Sequence, residues 1–151
     1  MATIQIADND ARVQYTQAVT ADTTQLTIDF PFFDLDDIEV RVVDENGLLH
    51  TPSRGTGADT FAVVGTAVDD GFSGGYVTLG DTYTSSSTSI TIFRDITASR
   101  TTDFPTSGPF NIAALNTELD KTMALIQQNE TSVNRALRLS DEDTSASATL
   151  P

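Results

Sequence analysis

The sequence lacks several residue types, and each absence excludes a class of chemistry. None of the 151 residues is a cysteine or a tryptophan, and only one is a histidine. Without cysteine the chain has no disulfide framework, thiolate metal site or cysteine nucleophile. The histidine, His50, stands beside a turn in "LLHTP" without a recognisable partner, which is more typical of a hairpin or surface residue than of a general base. We therefore predict no enzymatic activity, no cofactor and no metal site.

Basic residues and long apolar segments are also scarce. The chain has 8 Lys and Arg against 22 Asp and Glu, a formal net charge of −14, and its basic residues are scattered. Binding to nucleic acid needs a basic face that neutralises phosphates, so we expect no nucleic-acid partner. No long apolar run is present, and the start, "MATIQIADND", has no basic n-region. We therefore expect neither a membrane partner nor a signal peptide.

From about residue 12 to residue 94 the apolar residues recur with a period of two, which is typical of half-buried strands. The segments between them are rich in turn-forming residues, and Asn46-Gly47 is the sharpest hairpin signal. Short strands at such intervals predict a small antiparallel β-sandwich or barrel. The inward positions are predicted to be Val13, Tyr15, Leu26, Ile28, Phe30, Ile38, Val40, Val42, Phe61, Val63, Val77, Leu79, Ile90 and Ile92.

After Gly108 the composition changes to Ala, Leu, Glu, Gln and Lys, which predicts a long helix over residues 109–139. Apolar residues spaced seven apart favour a helical bundle between chains, with these residues at heptad positions. The alternative is an amphipathic helix that lies on its own sheet. Residues 140–151 are acidic and rich in small residues, which predicts a linker. The predicted seam of the bundle consists of Ile112, Leu115, Leu119, Ile126 and Val133.

The stretch "FPFFDLDD", residues 30–37, places three phenylalanines against three aspartates. The acids resemble the start of a calcium-binding EF-hand loop, but Glu39 stands where that loop requires glycine. We predict instead a corner of the chain, at which the carboxylates of residues 34–37 accept hydrogen bonds from nearby backbone N–H groups. Phe30 and one of the next two phenylalanines would fill the core below this corner.

Three segments carry a family resemblance when they are taken in order. They are "YTQAVTADTTQLTIDFPFFDLDDIEVRVVDENG" (15–47), "SITIFRDITASRTTDFPTSGPF" (89–110) and "LNTELDKTMALIQQNETSVNRALRL" (115–139). Together they resemble the N-terminal, virion-anchoring domain of the tail fibres and tailspikes of podovirus-type, autographivirus-like bacteriophages. Residues 48–88 match only as a glycine-punctuated β region. The resemblance spans most of residues 13–140.

The resemblance implies a homotrimer located in the virion, at the phage tail. Its β head, residues 1–108, would dock on the tail adaptor and nozzle proteins, and residues 109–139 would form the trimerisation helices. Residues 140–151 would be an acidic linker or the start of the fibre shaft, which leads to the distal fibre or receptor-binding protein. Because an aromatic patch inside a rim of charge is typical of interfaces, the predicted tail-docking residues are Phe32, Phe33, Asp36 and Asp37.

Two other functions stay open from the sequence. One is a short adaptor that carries a separately encoded receptor-binding protein on its C-terminal end. The other is a glycan-binding or glycan-cleaving β module, which the lack of tryptophan disfavours, since sugar sites often stack on aromatic faces.

Overall fold

The protein has two β-sheets followed by one helix. The computed structural model describes residues 11–99, 103–104, 106 and 108–136. Within these residues the strands are β1 (Arg12–Thr16), β2 (Leu26–Ile28), β3 (Ile38–Val43), β4 (Leu49–His50), β5 (Ser53–Arg54), β6 (Thr60–Val68), β7 (Gly71–Leu79) and β8 (Ser89–Arg94), and the helix is α1 (Ile112–Arg135). A 3-10 turn, Leu35–Asp37, precedes β3. The expectation of a mainly β chain with a long helix after it is confirmed.

The two sheets each contain four strands. Their orders are β1-β8-β3-β4 and β2-β7-β6-β5. All described neighbours are antiparallel except β5 and β6, which pair in parallel through Ser53 with Thr60 and Arg54 with Phe61. The antiparallel expectation is wrong for that pair alone. The chain between these strands turns back with Asp59 in the left-handed region, at φ 56°.

Side chains from both sheets meet in one hydrophobic core. The period of two places alternate residues of each strand on the same face, and in β2, β3, β7 and β8 that face is buried. Of the predicted inward positions, Val13, Tyr15 and Val63 are only partly buried and pack against the core. The remaining predicted positions are at most 2% exposed, which confirms them: Leu26, Ile28, Phe30, Ile38, Val40, Val42, Phe61, Val77, Leu79, Ile90 and Ile92.

The predicted Asn46-Gly47 turn joins β3 to β4. Gly47 has φ 79°, which favours glycine. The Asp44 carboxylate accepts hydrogen bonds from the backbone N–H groups of Asn46, at 2.9 Å, and Leu48, at 3.0 Å. This side chain therefore closes the turn and sets the register of the short hairpin.

A close approach of two strands explains the glycine at position 65. Gly65 on β6 is paired with Gly75 on β7, next to an irregularity in the pairing. A Cβ atom at Gly65 would lie 2.3 Å from Cδ1 of Phe72. The Phe72 ring thus occupies the space that any larger residue at position 65 would need.

The helix α1 contains 24 residues, so at 1.5 Å per residue it is about 36 Å long. The Asn111 side chain caps its start by accepting from the backbone N–H of Ala114 at 3.1 Å. The helix therefore begins three positions after the predicted residue 109, and residues 137–151 lie outside the described part of the chain. Among the described residues, no helix combines the length and the apolar character needed to cross a membrane.

Candidate functional site

The corner at residues 30–37 separates its aromatic residues into two environments. Phe30 and Phe32 are both 0% exposed, and Phe32 stacks on Phe72 with 5.0 Å between ring centroids. The backbones of Phe32 and Phe72 also exchange two hydrogen bonds, at 3.0 and 2.8 Å. The prediction that Phe30 and one of the next two phenylalanines fill the core is confirmed. The assignment of Phe32 to a tail-docking surface is corrected, because a fully buried ring offers no contact area.

The aspartates of the corner accept hydrogen bonds from the backbone, as predicted. Asp34 Oδ1 accepts from the N–H of Asp36 at 2.9 Å, and Asp37 Oδ2 accepts from the N–H groups of Phe33 and Asp34 at 3.1 and 2.8 Å. Burial raises the pKa of Asp37 above its usual value, and the hydrogen bonds from Asp34 and Phe33 oppose that shift. These carboxylates form a capping box for the 3-10 turn. Within the described ranges no three acidic or histidine side chains are arranged to hold a metal ion.

The predicted docking residues outside the core differ in exposure. Phe33 is half-buried, and the amino group of Lys121 lies over its ring, 5.8 Å from the centroid. The Asp36 side chain is 84% exposed and forms an ion pair with Arg54. Phe33, Asp36 and the half-buried Asp37 therefore keep accessible surface, so the predicted docking surface loses only Phe32.

Arg94, the last residue of β8, ties the β region to the helix. It is 3% exposed, and its guanidinium donates to the backbone carbonyl oxygens of Pro31, at 2.7 Å, and Ala124, at 3.4 Å. Burial lowers the pKa of Arg94, and the nearby Asp37 carboxylate partly offsets that shift. Since Ala124 is 0% exposed, the helix approaches the β region closely at this small residue.

Polar side chains extend this contact along the helix. The Gln128 Oε1 atom accepts from the backbone N–H of Ile96 at 2.8 Å, and its Nε2 donates to Asp95 Oδ1 at 3.2 Å. Near the other end, the Thr117 hydroxyl donates to Asp70 Oδ2 at 3.3 Å. We call this side of the helix the inner face; it consists of Thr117, Lys121, Ala124 and Gln128. The helix does lie on its own β region, but through small and polar residues.

The opposite side of the helix carries large apolar residues exposed to solvent. We call it the apolar stripe; its members and their exposed fractions are Ile112 65%, Leu119 57%, Met123 50%, Ile126 55% and Val133 40%. Four of the five predicted seam residues belong to it. The fifth, Leu115, lies on the same side of the helix but is half-buried. In the single chain each stripe residue therefore keeps 40% or more of its surface exposed.

His50 has a local structural role in the β3–β4 hairpin, as its position beside a turn predicts. Its Nε2 lies 3.0 Å from Asp44 Oδ2, and its ring packs edge-on against Tyr83, with centroids 5.7 Å apart. This hydrogen bond is the main cause that holds the pKa of Asp44 below its usual value. The contacts within the β3–β4 hairpin thus account for the side chains of both Asp44 and His50.

Sequence reasoning missed Arg94, Ala124 and Gln128. Thr117, Lys121, Ala124 and Gln128 recur at intervals of three and four, which is the spacing of one helix face, and this signal could have identified the inner face. Nothing in the local sequence around Arg94 indicates that it reaches the helix. Comparison with known proteins adds no relative, since no protein-family model matches the chain and no curated protein is significantly similar to it.

Proposed function

We propose that this chain is the N-terminal anchor of a bacteriophage tail fibre or tailspike. In this proposal residues 1–108 form a small β-sandwich head that attaches to the adaptor and nozzle proteins of the tail. The helices from three copies form a bundle that continues into the distal fibre. Three copies held together present three contact surfaces at once, which raises their effective concentration at the tail.

The apolar stripe is the observation that carries the proposal. A single chain uses the small and polar inner face of the helix for its own β region, and leaves 40% or more of each stripe residue exposed. Apolar residues that recur every seven positions are the pattern by which helices associate with one another. Burying the stripe between copies would remove it from water while each helix stays attached to its own head.

The first test is the solution mass of the chain by light scattering. We expect a trimer, and we expect monomers after Leu119, Ile126 and Val133 are replaced together by serine. These three side chains are 57%, 55% and 40% exposed, so in the isolated chain the change removes only partial burial, at about 1 kcal/mol for each residue. The monomers should therefore keep the circular dichroism spectrum of a folded chain.

The matched control replaces the exposed polar residues Asn116, Glu130 and Asn134, which lie outside the predicted seam positions, by serine. This variant has the same number of changes on the same helix but keeps the apolar stripe, so it should remain a trimer. A native chain that is monomeric at all concentrations would refute the bundle, and so would dissociation by the control alone.

Attachment to the tail needs a separate test on particles of the phage that encodes the chain. Antibodies against residues 1–108 should label purified particles at the tail in electron micrographs. Particles prepared without fibres should lack this label, and incubating them with the purified chain should restore it. Particles that lack the chain altogether would refute the anchoring function, whatever the oligomeric state.

A further inference from the structure

Two polar residues stand at seam positions of the helix. Leu119 and Ile126 occupy the first seam position of their heptads, and the residue three positions after each of them occupies the second. These residues are Thr122 and Asn129, and both are exposed in the single chain. A bundle of helices from several copies would therefore enclose one hydroxyl and one carboxamide from each chain.

The hydroxyl of Thr122 is already satisfied within its own helix. It donates a hydrogen bond to the backbone carbonyl oxygen of Glu118, one turn earlier, at 2.8 Å. The rest of the side chain is a methyl group, which suits an apolar seam. Thr122 can therefore be buried between helices without a polar partner on another chain.

Asn129 differs from Thr122, because its carboxamide has no such bond. Among the described residues no group pairs with this side chain, and its exposed position leaves the amide to water. A carboxamide has two N–H donors and one carbonyl acceptor. Burial of the seam would remove the water, so these groups would need new partners, and only another chain can supply them there.

The charged residues beside the seam give the helices no means of alignment. In coiled coils, ion pairs between the positions that flank the seam commonly set the orientation of the chains. In α1 the charged residues at these flanking positions are Glu118 and Glu130, which have the same sign. The two basic residues of the helix, Lys121 and Arg135, occupy neither flanking position. The choice of alignment therefore falls to the seam itself.

We propose that Asn129 sets the orientation and register of the helices when copies of the chain associate. In a parallel, in-register bundle three Asn129 side chains lie in one layer, where each carboxamide can donate to the carbonyl oxygen of a neighbour. In an antiparallel or shifted bundle each carboxamide faces apolar residues and stays unpaired, which weakens association by roughly tenfold for each chain. This inference rests on the proposed bundle and goes beyond it by assigning its alignment to one residue.

Single introduced cysteines report the alignment, because the chain has no cysteine of its own. Asn116 and Glu130 are exposed, flank the seam and lie at equal distances before and after Met123, near the middle of the helix. Along one helix they are separated by about 21 Å, too far for a short bis-maleimide cross-linker. Full-length chains with Asn116→Cys and with Glu130→Cys are mixed, dissociated in urea, reassembled and cross-linked, and mass spectrometry identifies the linked positions.

With native Asn129 we expect links between equal positions only, 116 to 116 and 130 to 130. In an Asn129→Leu background we expect links between 116 and 130 as well, because antiparallel helices bring these two positions together. The Asn129→Leu bundle should also persist to concentrations about tenfold lower in light scattering, since it no longer buries carboxamides. Tighter association with a mixed alignment is the specific signature of a residue that selects the register.

Thr122→Val is the matched control, because it changes the same seam position one heptad earlier and removes a hydroxyl that bonds within its own helix. This variant should keep links between equal positions only. Links between 116 and 130 in the native background would overturn the inference. Their absence from the Asn129→Leu background would do so too, as would mixed links in the control.

The failure of this inference and that of the proposed function give different results. A native chain that is monomeric in light scattering would refute the bundle, and the function of Asn129 with it. A native trimer whose alignment does not depend on Asn129 would refute the function of this residue alone and leave the bundle in place.

Discussion

The two environments of adjacent phenylalanines give the sharpest stability prediction. Phe32 is 0% exposed and stacks on Phe72, whereas Phe33 is half-buried and covered by the Lys121 amino group. Replacing Phe32 by alanine leaves a cavity in the core, at a cost of about 3–5 kcal/mol. Replacing Phe33 by alanine removes partial burial and an exposed cation–π contact, together about 1 kcal/mol. The same substitution at two adjacent positions should thus be severe at Phe32 and mild at Phe33.

Urea unfolding followed by far-ultraviolet circular dichroism measures both changes, since the chain has no tryptophan to serve as a fluorescence probe. With a slope of about 2 kcal/mol per molar urea, the Phe32→Ala midpoint should fall by about 2 M, and the Phe33→Ala midpoint by about 0.5 M. The triple-serine helix variant is the preferred background, because a monomer keeps unfolding independent of concentration. Equal midpoints for the two alanine variants, or a larger loss at Phe33, would refute the assignment of Phe32 to the core.

Two further predictions test the packing of β6 and the β3–β4 turn. Gly65→Ala places a Cβ atom against the Phe72 ring and should lower the free energy of unfolding by about 1–3 kcal/mol. The loss should be smaller in a Phe72→Leu background, whereas additive losses from the two substitutions would contradict the clash. Asp44→Asn keeps Oδ1 for the turn but removes the charge beside His50. The hydrogen bond with His50 holds the folded pKa of Asp44 below its value in the unfolded chain, so the stabilising contribution is present above the unfolded pKa and is lost as the pH falls through the folded pKa. Urea midpoints of native and variant chains should therefore differ near neutral pH and converge in acid; a difference that persists in acid would count against this linkage.

The sequence predicted most of the core because its evidence is local. Alternation within each strand identified the buried residues of both sheets, and Asn46-Gly47 identified its hairpin. The parallel pairing of β5 with β6 was missed, because two-residue strands such as Ser53–Arg54 are too short to show a period. The sequence assigned Phe30 and one of the next two phenylalanines to the core, but only the fold decided that Phe32 is buried and Phe33 half-buried.

The helix shows the same division between local and long-range information. Its heptad spacing predicted Ile112, Leu119, Ile126 and Val133 as one stripe, and the structure leaves these residues exposed together. The spacing did not predict that Leu115 is half-buried, nor the face by which the helix contacts the β region. That choice depends on Arg94, which lies 30 positions from Ala124 in the sequence.

The amino-acid sequence by itself determined most of the strands, the long helix and the buried hydrophobic positions, because these follow from apolar residues at intervals of two and seven. It also excluded cysteine chemistry, because the chain has no cysteine. Only the tertiary structure decided which helix face meets the β region. The physical reason is that the contacts of Arg94 join Pro31 and Ala124, 63 and 30 positions away. Such contacts leave no periodic signal, since they depend on how the chain returns to itself.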